Sequence, residues 1–90
     1  MLKIVVSNQF KKDLRLAKRR GLDINKLSKV VNTLASNQRL EKRYHDHSLT
    51  GNLSGFRECH IDLDWLLVYR IDREELILLL FRTGTHSDIF

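Results

Sequence analysis

The chain has 90 residues, with 16 Lys and Arg against 11 Asp and Glu, a net charge of +5 when the histidines are neutral. That suits one domain spanning 1-90, small enough to bury only about 60–65% of the surface its unfolded chain exposes, and the positive balance favours a polyanionic partner, nucleic acid or an acidic protein segment. The single cysteine, Cys59, excludes an internal disulfide and a cysteine zinc cluster, no apolar run reaches the roughly 18 residues of a membrane span, and the start MLKIVVSNQF lacks a signal-peptide core, so a cytoplasmic protein is expected.

Residues 2–6, LKIVV, read as a first strand. Ser7 is a good N-cap, and Phe10, Leu14 and Ala17 then fall at i, i+4 and i+7, the apolar stripe of a helix. Gly21 stands where a left-handed C-terminal cap belongs. Asp23 caps a second helix whose apolar face is Ile24, Leu27, Val30, Val31 and Leu34, ending near 36–38. Residues 38–54 are polar and rich in turn formers. Three strands follow, at about 55–62, 65–71 and 76–83. The order β-α-α-β-β-β predicts an α+β fold: two N-terminal helices packed on one face of a mostly antiparallel four-stranded sheet. The last two strands, WLLVYRI and LILLLF, are apolar at both parities. Both of their faces want cover, and two helices can supply only one.

Lys11, Arg15 and Lys18 lie in helical register on the first helix and form a basic stripe. Such a stripe can neutralise phosphates without sequence preference; it also reads as an ordinary solvated face. The histidines, His45, His47, His60 and His86, all fall in the second half. Strand alternation puts Glu58, His60 and Asp62 on one side and Cys59 and Ile61 on the other, so Cys59 and His60 are not a nucleophilic pair. Arg82 ends the last apolar run. Thr83-Gly84-Thr85 bends the chain before His86, and Gly84 permits a turn or a close approach.

His60, Asp64, Arg82 and His86 would together offer two proton-transfer groups, an anchoring carboxylate and a fixed cation. RNA cleavage without a metal needs that set. A 2′-OH loses a proton as it attacks phosphorus, the leaving 5′-oxygen gains one, and the phosphate gains negative charge between. Imidazole suits both transfers because it ordinarily titrates at about 6.5. Guanidinium suits the phosphate because its planar fork stays charged. Trp65 or Phe90 offers a face on which an unpaired base could stack, against the alternative that Trp65 is a core residue. His45-Asp46-His47 is the rival use of histidines, two nitrogens on one side of an extended segment, but a metal would need further ligands from afar. No metal or other cofactor is expected.

The stretch DHSLTGNLSGFRECHIDLDWLLVYRID, residues 46–72, followed by FRTGTHSDIF, resembles the YafQ-type toxins of the RelE superfamily. The matching features are a D-H-x-L-x-G segment, a [FY]-R-[DE]-x-H-[IV] strand, a D-W-[IL]-L-[IV]-Y strand, and an R-T-G-[ST]-H ending with a terminal Phe. They cover the last half of the chain, and the β-α-α order of the first half agrees. The resemblance implies a RelE-like ribonuclease architecture and the toxin of a type II toxin–antitoxin pair. It implies a metal-independent endoribonuclease that cuts mRNA, characteristically on translating ribosomes. Its partners would be a cognate antitoxin, mRNA and the ribosome, with operator DNA reached only through the antitoxin complex and no membrane involved. By motif, His47, His60, Asp64, Arg82, His86 and Phe90 fill the family's site positions. The roles expected are His86 as general acid, Asp64 with His60 as base, Arg82 on the phosphate and His47 assisting. Two other readings stay open at this level: a non-catalytic nucleic-acid-binding module, and a protein-interaction domain whose basic face binds an acidic partner.

Overall fold

The computed structural model describes all 90 residues. Their order is β1 (Lys3–Val6), α1 (Asn8–Arg19), α2 (Ile24–Ala35), β2 (His47–Ser48), β3 (Arg57–Asp62), β4 (Trp65–Asp72), β5 (Ile77–Gly84) and α3 (His86–Ile89), with single 3-10 turns at Lys42–Tyr44 and Gly51–Leu53. Local chemistry sets the helix ends. The Ser7 hydroxyl accepts from the Phe10 N–H at 2.9 Å, and Asp23 accepts from the Asn25 N–H at 3.0 Å. Gly21, at φ 77°, closes α1 as the left-handed residue after the cap.

The sheet runs β1-β5-β4-β3-β2, with β1 parallel to β5 and every other pair antiparallel. It has five strands where four were expected. The extra one is β2, whose two residues pair with Glu58 and Arg57 of β3. Two residues are too few to show any hydrophobic period. Helices α1 and α2 cover one face. Phe10, Ala17, Leu27, Val30, Val31 and Leu34 pack there against Cys59, Ile61, Trp65, Leu67, Tyr69, Leu78 and Leu80. No helix is long and apolar enough to cross a membrane.

A bulge in β5 decides what the other face carries. Tyr69 pairs with Leu80, yet Val68 pairs with Arg82, so Phe81 is the extra residue. Without it Arg82 would share the inward parity of Leu78 and Leu80. With it, cross-strand partners on one face read His47, Glu58, Val68 and Arg82 in one row, and His60, Leu66 and Gly84 in the next. Leu66 and Val68 are fully buried there. Phe56 and Phe81 stack at 4.6 Å between centroids, with the Arg70 guanidinium 5.1 Å from the Phe56 ring centroid. These two half-buried rings are the spare apolar surface that the two-sided strands foretold.

Helix α3 follows the expected bend at Thr83-Gly84-Thr85 and was not itself expected from the sequence. Thr85 and Asp88 form a reciprocal capping box, and Arg20, the C-cap residue of α1, clamps Asp88 through bonds of 2.7 and 3.2 Å. Gly84 is where the helix tucks against the strand: a Cβ there would meet Asp88 Oδ2 at 2.8 Å. Hydrogen bonds from Arg20, then from the Thr85 N–H and hydroxyl, hold the Asp88 carboxyl well below its ordinary range against a small opposing effect of burial. A depressed folded-state value stabilises the fold above the unfolded carboxyl's 3.8 and is lost as pH falls through the folded value. Melting temperature should therefore fall with acid below about pH 4, and Asp88→Asn should flatten part of that fall. Thermal melts of both proteins from pH 5 to pH 2 check this, and parallel curves would refute it.

Candidate active site

The site is built on the sheet face away from the helices, around Glu58. This carboxylate is 3% exposed and lies beside three imidazoles. Its Oε1 is 3.9 Å from His47 Nε2, 3.6 Å from His60 Nε2 and 4.0 Å from His86 Nε2. Each ring arrives by a different route. His47 comes from β2, directly opposite Glu58 in register. His60 lies two residues along β3 on the same face. His86 folds back from α3, across the width of β4, to bring its ring within 6.0 Å of His60. Sequence reasoning grouped the histidines but left Glu58 out of the set. The signal was present in the alternation of β3, which already put Glu58 on the His60 side.

Two of the three rings have an orienting contact. His47 Nδ1 lies 2.7 Å from the His45 carbonyl, which can only accept, so Nδ1 carries the proton and Nε2 faces the centre. Asp64 Oδ1 lies 3.3 Å from both the backbone N and Nδ1 of His86. Asp64, expected to share the base role with His60, has its contacts with His86, because the β3–β4 turn points at the start of α3. Four rings form a row: His45 to His60 at 5.5 Å, His60 to His86 at 6.0 Å, and His86 to Phe90 at 6.1 Å between centroids.

Arg82, in register with Val68 on the same face, is already engaged. Its Nε and Nη2 bond Asp13 of α1 at 2.8 and 3.2 Å, and Nη2 also reaches the Asp88 carbonyl at 3.3 Å. Asp13 is 7% exposed and also accepts from the Thr83 N–H and from Gln9. Strand β1 pairs with β5 only as far as Leu80, so beyond it an edge amide of β5 needs an acceptor, and Asp13 supplies one. Burial on its own would raise the Asp13 carboxyl, but the bonds from Arg82, Gln9 and Thr83 outweigh it and hold the group below its ordinary value. Arg82 therefore presents a charge already balanced, with Nη1 as its remaining donor nitrogen.

Trp65 corrects one expectation. It is 3% exposed, and its indole N–H donates to Thr83 Oγ1 at 2.9 Å, so neither face is open to a base. The indole fills the space between the sheet and the helices, the core alternative. Phe90 is 60% exposed, and Lys11, Arg15 and Lys18 all face solvent on α1. Cys59 is buried on the core face, and burial pushes its thiol far up, away from reactive thiolate. A second group that the sequence concealed holds the loop: Asp46 accepts from the Tyr69 hydroxyl at 2.5 Å and from Arg57 at 3.3 Å. That tie anchors the segment bearing His45 and His47 to the sheet.

The set can take up a proton, deliver one, and balance charge around a central carboxylate. Known proteins carry the same fold. The family model described as the bacterial toxin of type II toxin–antitoxin system, YafQ, matches residues 2–90. The curated mRNA interferase toxin YafQ of Escherichia coli (strain K12) is 39% identical over 88 residues, covering 97% of this chain and 94% of its own. The crystal structure of a metal-bound toxin from Helicobacter pylori superposes with a TM-score of 0.94 at 48% identity, covering all of both chains. The E. coli DinJ–YafQ complex superposes with a TM-score of 0.91 at 37% identity, covering 100% of this chain and 99% of that one. On the match of residues 2–90, the chain belongs to the YafQ family of bacterial toxins of type II toxin–antitoxin systems.

Proposed function

We propose that this toxin is an endoribonuclease that cuts mRNA by acid–base catalysis from its own side chains. The observation carrying the reading is the convergence of His47, His60 and His86 Nε2 on one buried carboxylate, within 3.6–4.0 Å of Glu58 Oε1. His60 takes the proton of the 2′-OH. The 2′-oxygen then bonds to phosphorus as the bond from phosphorus to the 5′-oxygen breaks. His86, oriented through Nδ1 by Asp64, gives its proton to that 5′-oxygen. Glu58 offsets the charge that His60 gains. Arg82 Nη1 and His47 stand by for the phosphate oxygens, and Phe90 offers a stacking face for the base beyond the cut. Both proton transfers are thereby assigned to protein groups.

A cognate antitoxin completes the system. The DinJ–YafQ complexes support such a partner, and the Phe56–Phe81 surface and the basic charge of the chain are features it could use. Ribosome association is part of the same proposal. Induced expression should arrest growth and leave truncated mRNA, and the arrest should lift when the antitoxin is co-expressed. Purified toxin incubated with one mRNA, with and without translating ribosomes, should cut faster with them. An unchanged message in both arms would end the reading. Because a solved relative is metal-bound, the same assay should be run with a chelator. Cleavage should hold within twofold in EDTA; loss that added zinc or copper restores would replace protein acid–base chemistry with a metal mechanism.

A further inference from the structure

The row of rings has two unlike ends. Phe90 lies at one. At the other, beside His45 and His60, opens a cavity of about 480 Å³ between α2, the 3-10 turn at Lys42–Tyr44 and the end of β3. That volume is in the range of small-ligand sites. Lys26, Lys29 and Arg43 line it against the single carboxylate of Asp62. Two of the three cations are pre-positioned. Lys26 Nζ is held by Asp62 at 2.6 Å. Arg43 lies over the Tyr44 ring, 4.8 Å from its centroid, donates to the Tyr44 hydroxyl at 2.9 Å, and pairs on its solvent side with the exposed Glu41 at 3.7 Å. Lys29 enters no ion pair, so its charge is free for a ligand. None of the three cations belongs to the α1 stripe, and none of them was singled out in the sequence.

The geometry points to this cavity as the subsite for the nucleotide on the 5′ side of the cut, so that RNA runs 5′ to 3′ from Lys29 toward Phe90. The inference rests on the proposed cleavage. There, His60 serves the 2′-OH, which belongs to the 5′ fragment, and His86 serves the 5′-oxygen, which belongs to the 3′ fragment. His60 borders the cavity; His86 borders Phe90. The polarity of the strand follows from the order of the two acid–base groups along the row. Lys29 and Arg43 would hold a phosphate upstream of the cut, and the Tyr44–Arg43 pair would present a planar surface to its base or sugar.

The test uses RNA whose cut site has been mapped with the wild-type toxin. The 2′-OH at the cut is then blocked by 2′-O-methyl. Two probes extend from it, one by three nucleotides only on the 5′ side and the other only on the 3′ side. Lys29→Glu, at an exposed position of α2, should raise Kd about tenfold for the 5′-extended probe and less than twofold for the other. Its slope of log affinity against log salt should shrink by about 0.7, the value for one single-strand phosphate contact. Phe90→Ala should show the opposite preference. If Lys29→Glu penalises both probes equally, or mainly the 3′-extended one, the subsite is refuted while the cleavage reading stands. If the wild-type toxin cuts no RNA and no site can be mapped, both fall together.

Discussion

Replacing His86 with alanine should lower the rate of RNA cleavage by about 10²–10⁴-fold and leave the melting temperature within about 4 °C of wild type. The activity loss follows from what the ring alone supplies. Asp64 Oδ1 faces Nδ1 at 3.3 Å, so Nε2 is the atom presented to the reacting centre, 4.0 Å from Glu58 Oε1. In the proposed mechanism alanine removes the proton donor for the leaving oxygen, and water would have to replace it. Stability is spared because the side chain is 57% exposed and outside the core. The contact that anchors the start of α3 to Asp64 is made through the His86 backbone N–H as well, and that survives the substitution. Cleavage rates on a defined RNA, measured beside thermal melts, check both halves. A folded variant that cuts within threefold of wild type would remove His86 from the chemistry.

The second large effect is on stability. Asp13→Ala should cost about 3–5 kcal/mol, since it leaves the Arg82 guanidinium unpaired in a largely buried place. For a chain of this size that lowers the melting temperature by more than about 12 °C. The Thr83 N–H loses its acceptor in the same step, at the stretch of β5 beyond the reach of β1. The double variant Asp13→Ala/Arg82→Ala should be less destabilised than the two single losses summed, by about 1–3 kcal/mol, because no unpaired charge remains. That pair also separates two roles. If Arg82 serves only to hold α1 on β5, a refolded double variant would still cut RNA. If Nη1 meets the phosphate, cleavage stays low even at temperatures where the double variant is fully folded. Urea melts of the four proteins give the coupling, and additive losses would deny the pair its structural part.

Local patterns along the chain carried the two helices, their caps at Ser7 and Asp23, and the three long strands to within a few residues. Each of these is set by neighbours three or four positions away, or by alternation within one strand, so the information is short-range. That His47, His60, Asp64 and His86 lie in one neighbourhood was legible through their ordered motifs. Their pairings were not. Asp64 turns to His86, Arg82 is taken by Asp13, 69 residues distant, and Trp65 turns inward to Thr83.

What the sequence by itself determined was therefore the element order, the core stripe of each helix and the family to which the motifs belong. Periodicity and capping are properties of contiguous residues, and a motif string needs no coordinates to be matched. Only the tertiary structure decided the fifth strand, the parallel pairing of β1 with β5, the bulge at Phe81 that puts Arg82 on the face away from the helices, and the burial of Glu58 beneath three imidazoles. Those depend on strand register and on which helix end meets which sheet edge. A carboxylate's partner and its exposure are fixed by groups scores of residues away, brought near only when the apolar faces close.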